Sequence, residues 1–302
     1  MTIVAPKQRK FDETSIAEVV NVLESYNLKP TPPNWLSEEE ACDIYFSIQP
    51  PKKTINEISS ILNKKKFDFY TQKNKFRRKK ILIADMDSTI ISSETIDELA
   101  SLVGREPEIK SITKRAMKGE LDFQETIHGR VSLLAGLKVS FFKKVLANIK
   151  FNHGAETLVH TMAANGALTV LVSGGFEFFS EAIAKQVGFD QHFANRLEIK
   201  DSRLTGNILN PILGPDAKRD ILISLSYKFK IEFQESLAIG DGANDIPMIK
   251  AAGLGIAYRG KPVTRNAALD RSKTVFSGTC IDHADLTAAL FFQGYNKYEF
   301  IR

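Results

Sequence analysis

Short apolar runs alternate with polar loops and helix-period segments through the last two thirds of the chain. Ile81-Leu82-Ile83-Ala84 is continuously apolar, as a parallel strand covered on both faces requires. Leu168 to Val172 and Leu237 to Ile239 repeat that pattern, and Leu254 to Ala257 makes a fourth run. Helical periodicity follows the second run from about Phe176 to Val187, and the third from about Asn244. Thr95 and Glu98 stand at capping-box spacing and predict a helix start. Repeated strand–loop–helix units predict an α/β protein with a doubly wound parallel sheet. About 60 residues, 104–165, separate the first and second strand units. That is too many for one crossover helix, so an inserted helical cap is expected at about 100–152.

The first block has a different texture. Ala41 to Ile48 alternates enough for a strand, and Ile55 to Leu62 has helical spacing. Pro30, Pro32, Pro33, Pro50 and Pro51 punctuate it. The expectation is a small N-terminal α+β module over 1–76, followed by the larger unit over 77–302.

Composition narrows the class. With 43% hydrophobic and 25% charged residues in 302, the chain is not wholly disordered. No apolar run approaches the roughly 20 residues of a membrane span, so no membrane partner is expected. The basic start Met1 to Lys10 has no apolar stretch after it, and no secretory leader is expected. Two cysteines, Cys42 and Cys280, form no disulfide framework, so a cytoplasmic setting is the default. The net charge of +5 lies wholly in residues 1–80, which hold 15 Lys+Arg and 10 Asp+Glu. Six of the eight residues from Lys73 to Lys80 are basic. A nucleic-acid surface and a solvated linker compete for that tract, and the linker is expected.

Candidate chemistry follows the three best strands. Asp85-Met86-Asp87-Ser88-Thr89 comes after the first, Ser173-Gly174-Gly175 after the second, and Gly240-Asp241-Gly242-Ala243-Asn244-Asp245 after the third. Ligands of parallel α/β sheets sit at the carboxyl ends of strands, so these segments would converge at one edge. Clustered carboxylates with few soft ligands suit Mg²⁺. A carboxylate could then attack phosphorus, and a second one two residues on could shuttle the proton. Loop hydroxyls and helix-start amides would hold phosphoryl oxygens. Lys218 could offset developing charge, although beside Arg219 it could equally lie on a solvated face. Asp241 and Asp245 could instead cap a helix, and Ser173-Gly174 could be only a turn. The five histidines lack zinc-ligand spacing. Gly255 to Lys261 begins like a P-loop, but Pro262 stands where a hydroxyl must meet Mg²⁺.

These segments, in this order, resemble the haloacid-dehalogenase-like phosphotransferases. Asp85 to Ala100, Leu121-Asp122-Phe123 and Arg130 to Leu134 resemble the phosphoserine phosphatases among them. The resemblance covers about 80–293, and the first block is similar to an ACT-like module. It implies a Rossmann-like fold of haloacid-dehalogenase type and Mg²⁺-dependent hydrolysis of L-phosphoserine to L-serine, the last step of serine biosynthesis. Asp85 would be the nucleophile. Asp87 would be the general acid/base and would bind the metal through its backbone carbonyl. Asp241 would complete the ligands, with Asp245 supporting or ligating through water. Ser173, Gly174 and Lys218 would hold the phosphoryl group, and Asn244 would orient it. Glu94 would take the ammonium and Arg130 the carboxylate of the substrate, with Phe123 and Met117 closing the pocket. A zwitterion needs one such anion and one planar cation. The alternative keeps this chemistry on another small phosphate ester, as phosphatase or phosphotransferase. ACT-like modules self-associate in related proteins, which leaves a homodimer open.

Overall fold

The computed structural model describes residues 1–11, 13–117, 120–270 and 277–302, with the side chains at 13, 116, 117 and 277 outside that description. The chain begins β1 (Thr2–Val4), α1 (Glu13–Ser25), β2 (Asn34–Ser37), β3 (Ala41–Asp43), α2 (Lys52–Lys65), β4 (Asp68–Tyr70). The strands pair antiparallel in the order β2-β3-β1-β4, a split βαβ arrangement. Thr54, Ile58 and Leu62 recur every four residues on α2, so one stripe of the helix is buried. Ile58 and Leu62 pack with Ile3 and Cys42 under one face of the sheet. Val4, Ala41 and Tyr70, from the opposite face, join the main core of the second part. The strand expected over 41–48 stops at Asp43. Met1 and Ile44 exchange backbone hydrogen bonds of 2.8 Å, and the next carbonyl, of Tyr45, accepts instead from the Thr31 N–H at 2.9 Å.

The second part runs β5 (Ile81–Ala84), α3 (Thr95–Leu102), α4 (Glu106–Met117), α5 (Phe123–Ser132), α6 (Ser140–Asn148), α7 (Ala155–Ala164), β6 (Leu168–Phe176), α8 (Glu177–Val187), β7 (Gln191–Lys200), β8 (Arg203–Leu209), α9 (Pro215–Phe229), β9 (Ser236–Gly240), α10 (Ile246–Ala251), β10 (Leu254–Tyr258), α11 (Pro262–Leu269), β11 (Ser277–Ile281) and α12 (Ala288–Phe292). Its sheet has the order β11-β10-β9-β5-β6-β7-β8 and is parallel except at β7–β8. Ile81 and Ile83 pack with Leu222 of α9 and Met248 of α10. Leu82 and Ala84 join the cluster holding Val159 of α7, Phe179 of α8 and Phe291 of α12. Two helical layers therefore bury both faces of β5, which is why its run is continuously apolar.

Three strands go beyond the four expected. β7 and β8 form a hairpin whose two-residue turn, Asp201-Ser202, has φ of 50° and 59°. Two positive φ values match the twist of a hairpin, but the usual glycine is missing, so the turn left no sequence signal. The hairpin reaches the helical insertion, where Leu204 exchanges backbone bonds with Gly136 and Leu137 and Ser202 accepts from Val139. The insertion leaves the sheet after β5 and returns at Phe151, which bridges Ile91. Its first helix does begin at Thr95, but Thr95 is not the cap. Glu94 holds that position and makes no side-chain cap bond. Among the described residues, no helix is long and apolar enough to cross a membrane.

The basic tract divides: Lys73 and Lys75 are exposed, as a solvated linker would be, whereas Arg77 to Lys80 are engaged by the protein. Arg77 donates to both carboxylate oxygens of Asp43 (2.8 and 2.7 Å) and to the Phe292 carbonyl (3.1 Å). Arg78 pairs with Glu299 at 2.7 Å and stacks on Tyr295. Lys79 is buried and donates to the Phe76 and Gln234 carbonyls. Lys80 pairs with Glu235 at 2.8 Å. Across the same junction the buried Asp68 carboxylate accepts the backbone N–H groups of Asp282, His283 and Ala284 at 2.7–3.0 Å. This second half of the tract is a clamp between the two parts.

Candidate active site

The carboxyl ends of β5, β6 and β9 lie side by side, because β5 pairs with both neighbours in register. Asp85 leaves β5 with its N–H on the Ile239 carbonyl, 2.9 Å away. The next turn is tight, and Ser88 sits at φ 59°, an uncommon conformation for a residue with a side chain. Asn152 steadies that turn, donating through Nδ2 to the Thr89 carbonyl at 2.8 Å. The turn aims Asp87 at the start of α3. Its Oδ1 accepts the Thr95 N–H at 2.8 Å, filling the role expected of a capping side chain. Its Oδ2 accepts from the Ser173 hydroxyl at 3.1 Å.

Lys218 is drawn inward rather than onto a solvated face. It is 2% exposed, and its ammonium donates to Asp85 Oδ1 and, at 2.6 Å, to Asp245 Oδ1. Gly214 and Pro215 start α9 so that its first turns point at this cluster. The other oxygen of Asp245 accepts the Gly242 N–H at 2.9 Å. Gly240 must be glycine here, since a Cβ would lie 2.4 Å from the Asp245 carboxylate. A Cβ on Gly242 would meet only the tip of the Asn244 side chain, Oδ1 at 2.4 Å, so that constraint is the weaker one.

Asp85, Asp241 and Asp245 each present an oxygen within 4.8 Å of the others, and all three are buried. An all-oxygen set of this charge fits a hard divalent cation. Burial, then Asp245, drives the Asp85 carboxyl well above its ordinary value, with Lys218 opposing. Burial and the nearby Glu94 push Asp87 up to about 6. Burial lifts Asp241 to about 6 as well, although Lys261, 3.6 Å away, pulls it down. Burial lowers Lys218, but Asp245 and Asp85 outweigh it and the net direction is up. The cluster holds more negative charge than its cations offset, a perturbation characteristic of functional sites.

The substrate-side candidates lie around this core. Glu94 is half-buried, and its Oε1 accepts from the Ser88 hydroxyl at 2.8 Å. Arg130 is half-buried and sits 3.2 Å from Asp97 Oδ1, while its buried Nε has no hydrogen-bond partner among the described residues. Phe123 packs against the main core from the insertion, and a Cβ on Gly214 would lie 3.6 Å from its ring. Asn244 is half-buried in the turn after β9. Met117 ends α4, and its side chain lies outside the described residues. Ser173 Oγ accepts the Gly175 N–H at 2.8 Å, shaping the loop after β6.

The sequence reading missed Asp97, Asn152 and Asn195. Asp97 lies within the quoted segment but carried no expected role. Asn195 is fully buried on β7, where an Asn is unfavourable unless its amide is used, but that signal needs the strand to be known and β7 was not expected.

The haloacid dehalogenase-like hydrolase family matches residues 82–250. A phosphoserine phosphatase of Methanocaldococcus jannaschii is 39% identical over 214 residues, 71% of this chain and 97% of that protein. A phosphoserine phosphatase of Streptomyces coelicolor is 42% identical over 192 residues, 64% of this chain, and the chain spans only 47% of its length. A crystal structure of a HAD family hydrolase from Salmonella enterica serovar Typhi superposes with a TM-score of 0.83 at 27% identity, covering 96% of this chain and 97% of that one.

Proposed function

The chain belongs to the haloacid dehalogenase-like hydrolases and, among them, to the phosphoserine phosphatase family; from that premise we propose that it hydrolyses L-phosphoserine to L-serine and phosphate, closing serine biosynthesis. The observation that carries the reading is the buried Asp85–Lys218–Asp245 cluster with Asp87 beside it.

In this reading Asp85 attacks phosphorus, and the bond from phosphorus to the seryl oxygen breaks. Asp87, which burial lifts to about 6 and so toward its protonated form, gives a proton to that oxygen. An aspartyl-phosphate remains on Asp85. Asp87, now a carboxylate, takes a proton from the attacking water as phosphate leaves. Its bonds from Thr95 and Ser173 keep it aimed through both halves. Lys218 offsets charge on Asp85 and on the transferred group. Asp85, Asp241 and Asp245 would hold Mg²⁺, which would screen the carboxylates from the phosphate dianion. Ser173 and Gly174 would hold phosphoryl oxygens, and Asn244 would orient them. The insertion, through Phe123, would close over the site and exclude water.

Glu94 would take the ammonium group and Arg130 the carboxylate. The unpartnered buried Nε of Arg130 supports this, because a buried donor calls for an acceptor. Phosphate release from a panel of small phosphate esters with Mg²⁺ tests the reading. L-phosphoserine should lead the panel. Arg130→Ala should raise KM for L-phosphoserine about tenfold or more while barely changing that for an aryl phosphate. Broad, shallow activity untouched by Arg130→Ala would keep a phosphatase and discard the phosphoserine pocket.

A further inference from the structure

We propose that Asn195 is a positioning residue for the phosphate site, acting through the loop after β6; this rests on the placement of the phosphoryl group at Ser173-Gly174 proposed above. β6 and β7 pair in register from Val170 to Val172, and pairing resumes only at Phe176 opposite Asn195. Residues 173–175 therefore bulge away from the ladder, with the Gly175 N–H turned back onto Ser173 Oγ at 2.8 Å and the Gly174 carbonyl turned toward β7. Asn195 Nδ2 donates to that carbonyl at 2.9 Å. Its Oδ1 accepts the Leu213 N–H at 2.7 Å.

One fully buried side chain thus ties the phosphate loop to the segment that opens α9. That segment sets Lys218 against Asp85, and its Gly214 adjoins Phe123 of the insertion. The amide can satisfy both contacts at once because it carries a donor and an acceptor. An aspartate keeps the shape and the acceptor but sets an anion against the Gly174 carbonyl.

Binding of inorganic phosphate to the Mg²⁺-supplemented protein, read by calorimetry, tests the assignment without turnover. Asn195→Asp should weaken phosphate about tenfold or more. Asn195→Ser, which removes the contacts without adding charge, should do the same and serves if the aspartate variant does not fold. A side chain that only supported the fold would lower the bound stoichiometry and leave the dissociation constant alone. Variant constants within twofold of the parent, or a parent that binds no phosphate, would overturn the proposal. Failure of the parent to cleave L-phosphoserine while still binding phosphate would instead remove the substrate reading.

Discussion

Two buried lysines separate the clamp from the candidate active site. Lys79 donates to neutral carbonyls, and burial pulls its pKa down to about 8 although Glu235 nearby opposes. Lys218 meets two carboxylates, and its pKa is pushed up although it is the more deeply buried of the two. Around Lys79 the other charges are matched within the protein: Arg77 on Asp43, Arg78 on Glu299, Lys80 on Glu235. Around Lys218 the carboxylates outnumber the cations. A network whose charges are balanced within the protein holds two parts together, whereas an unbalanced one is completed by what it binds.

The contrast is sharpest under substitution. Asp85→Asn should reduce phosphate release by about four orders of magnitude or more while the melting temperature stays close to the parent's, since Lys218 keeps Asp245. Arg77→Ala should do the reverse. It leaves Asp43 buried without its cation, which costs about 3 kcal/mol of stability, while turnover per folded molecule is unchanged. Denaturant unfolding and single-turnover assays on both variants would separate the two outcomes. An Arg77→Ala protein that folds but does not turn over would erase the distinction.

A smaller effect lies in pH. Without a divalent cation, Asp87 and Asp241 titrate near 6 in the folded chain, against an ordinary 3.8. The folded state then holds more protons between about 4 and 6, so stability falls as pH rises through that window. Chelated protein should melt higher at pH 5 than at pH 7.5, and Mg²⁺ should restore stability mainly above pH 6. Calorimetry showing no such dependence would place these carboxyls in other company. The smallest effect belongs to Lys79, whose pKa of about 8 lies below the ordinary 10.5. Here the unfolded state holds the extra proton, so stability rises between those values, and Lys79→Met should flatten that rise.

Legibility along the chain followed burial. β5, β6, β9 and β10 were readable because two helical layers make their strands uniformly apolar. β7 and β8 were not, because they carry polar residues along an antiparallel hairpin and turn without glycine. Asp85, Asp87 and Asp241 stood out because two of the three follow apolar runs within a few residues of each other and the third opens a glycine-rich turn. Asn195 and Asp97 make their contacts with segments far along the chain, which no local spacing reveals. The cationic tract misled for the same reason, since its partners Asp43, Glu235 and Glu299 are distant in sequence.

The order of apolar runs and the residues that follow each were decided by the sequence alone, because strand burial and strand-end chemistry are written in consecutive positions. The tertiary structure decided which charges meet. It sent Lys218 inward to two aspartates and Lys79 to carbonyls, and it turned a basic stretch into a clamp. Charge pairing depends on distance through space and on shielding from water, and neither is a property of neighbouring residues.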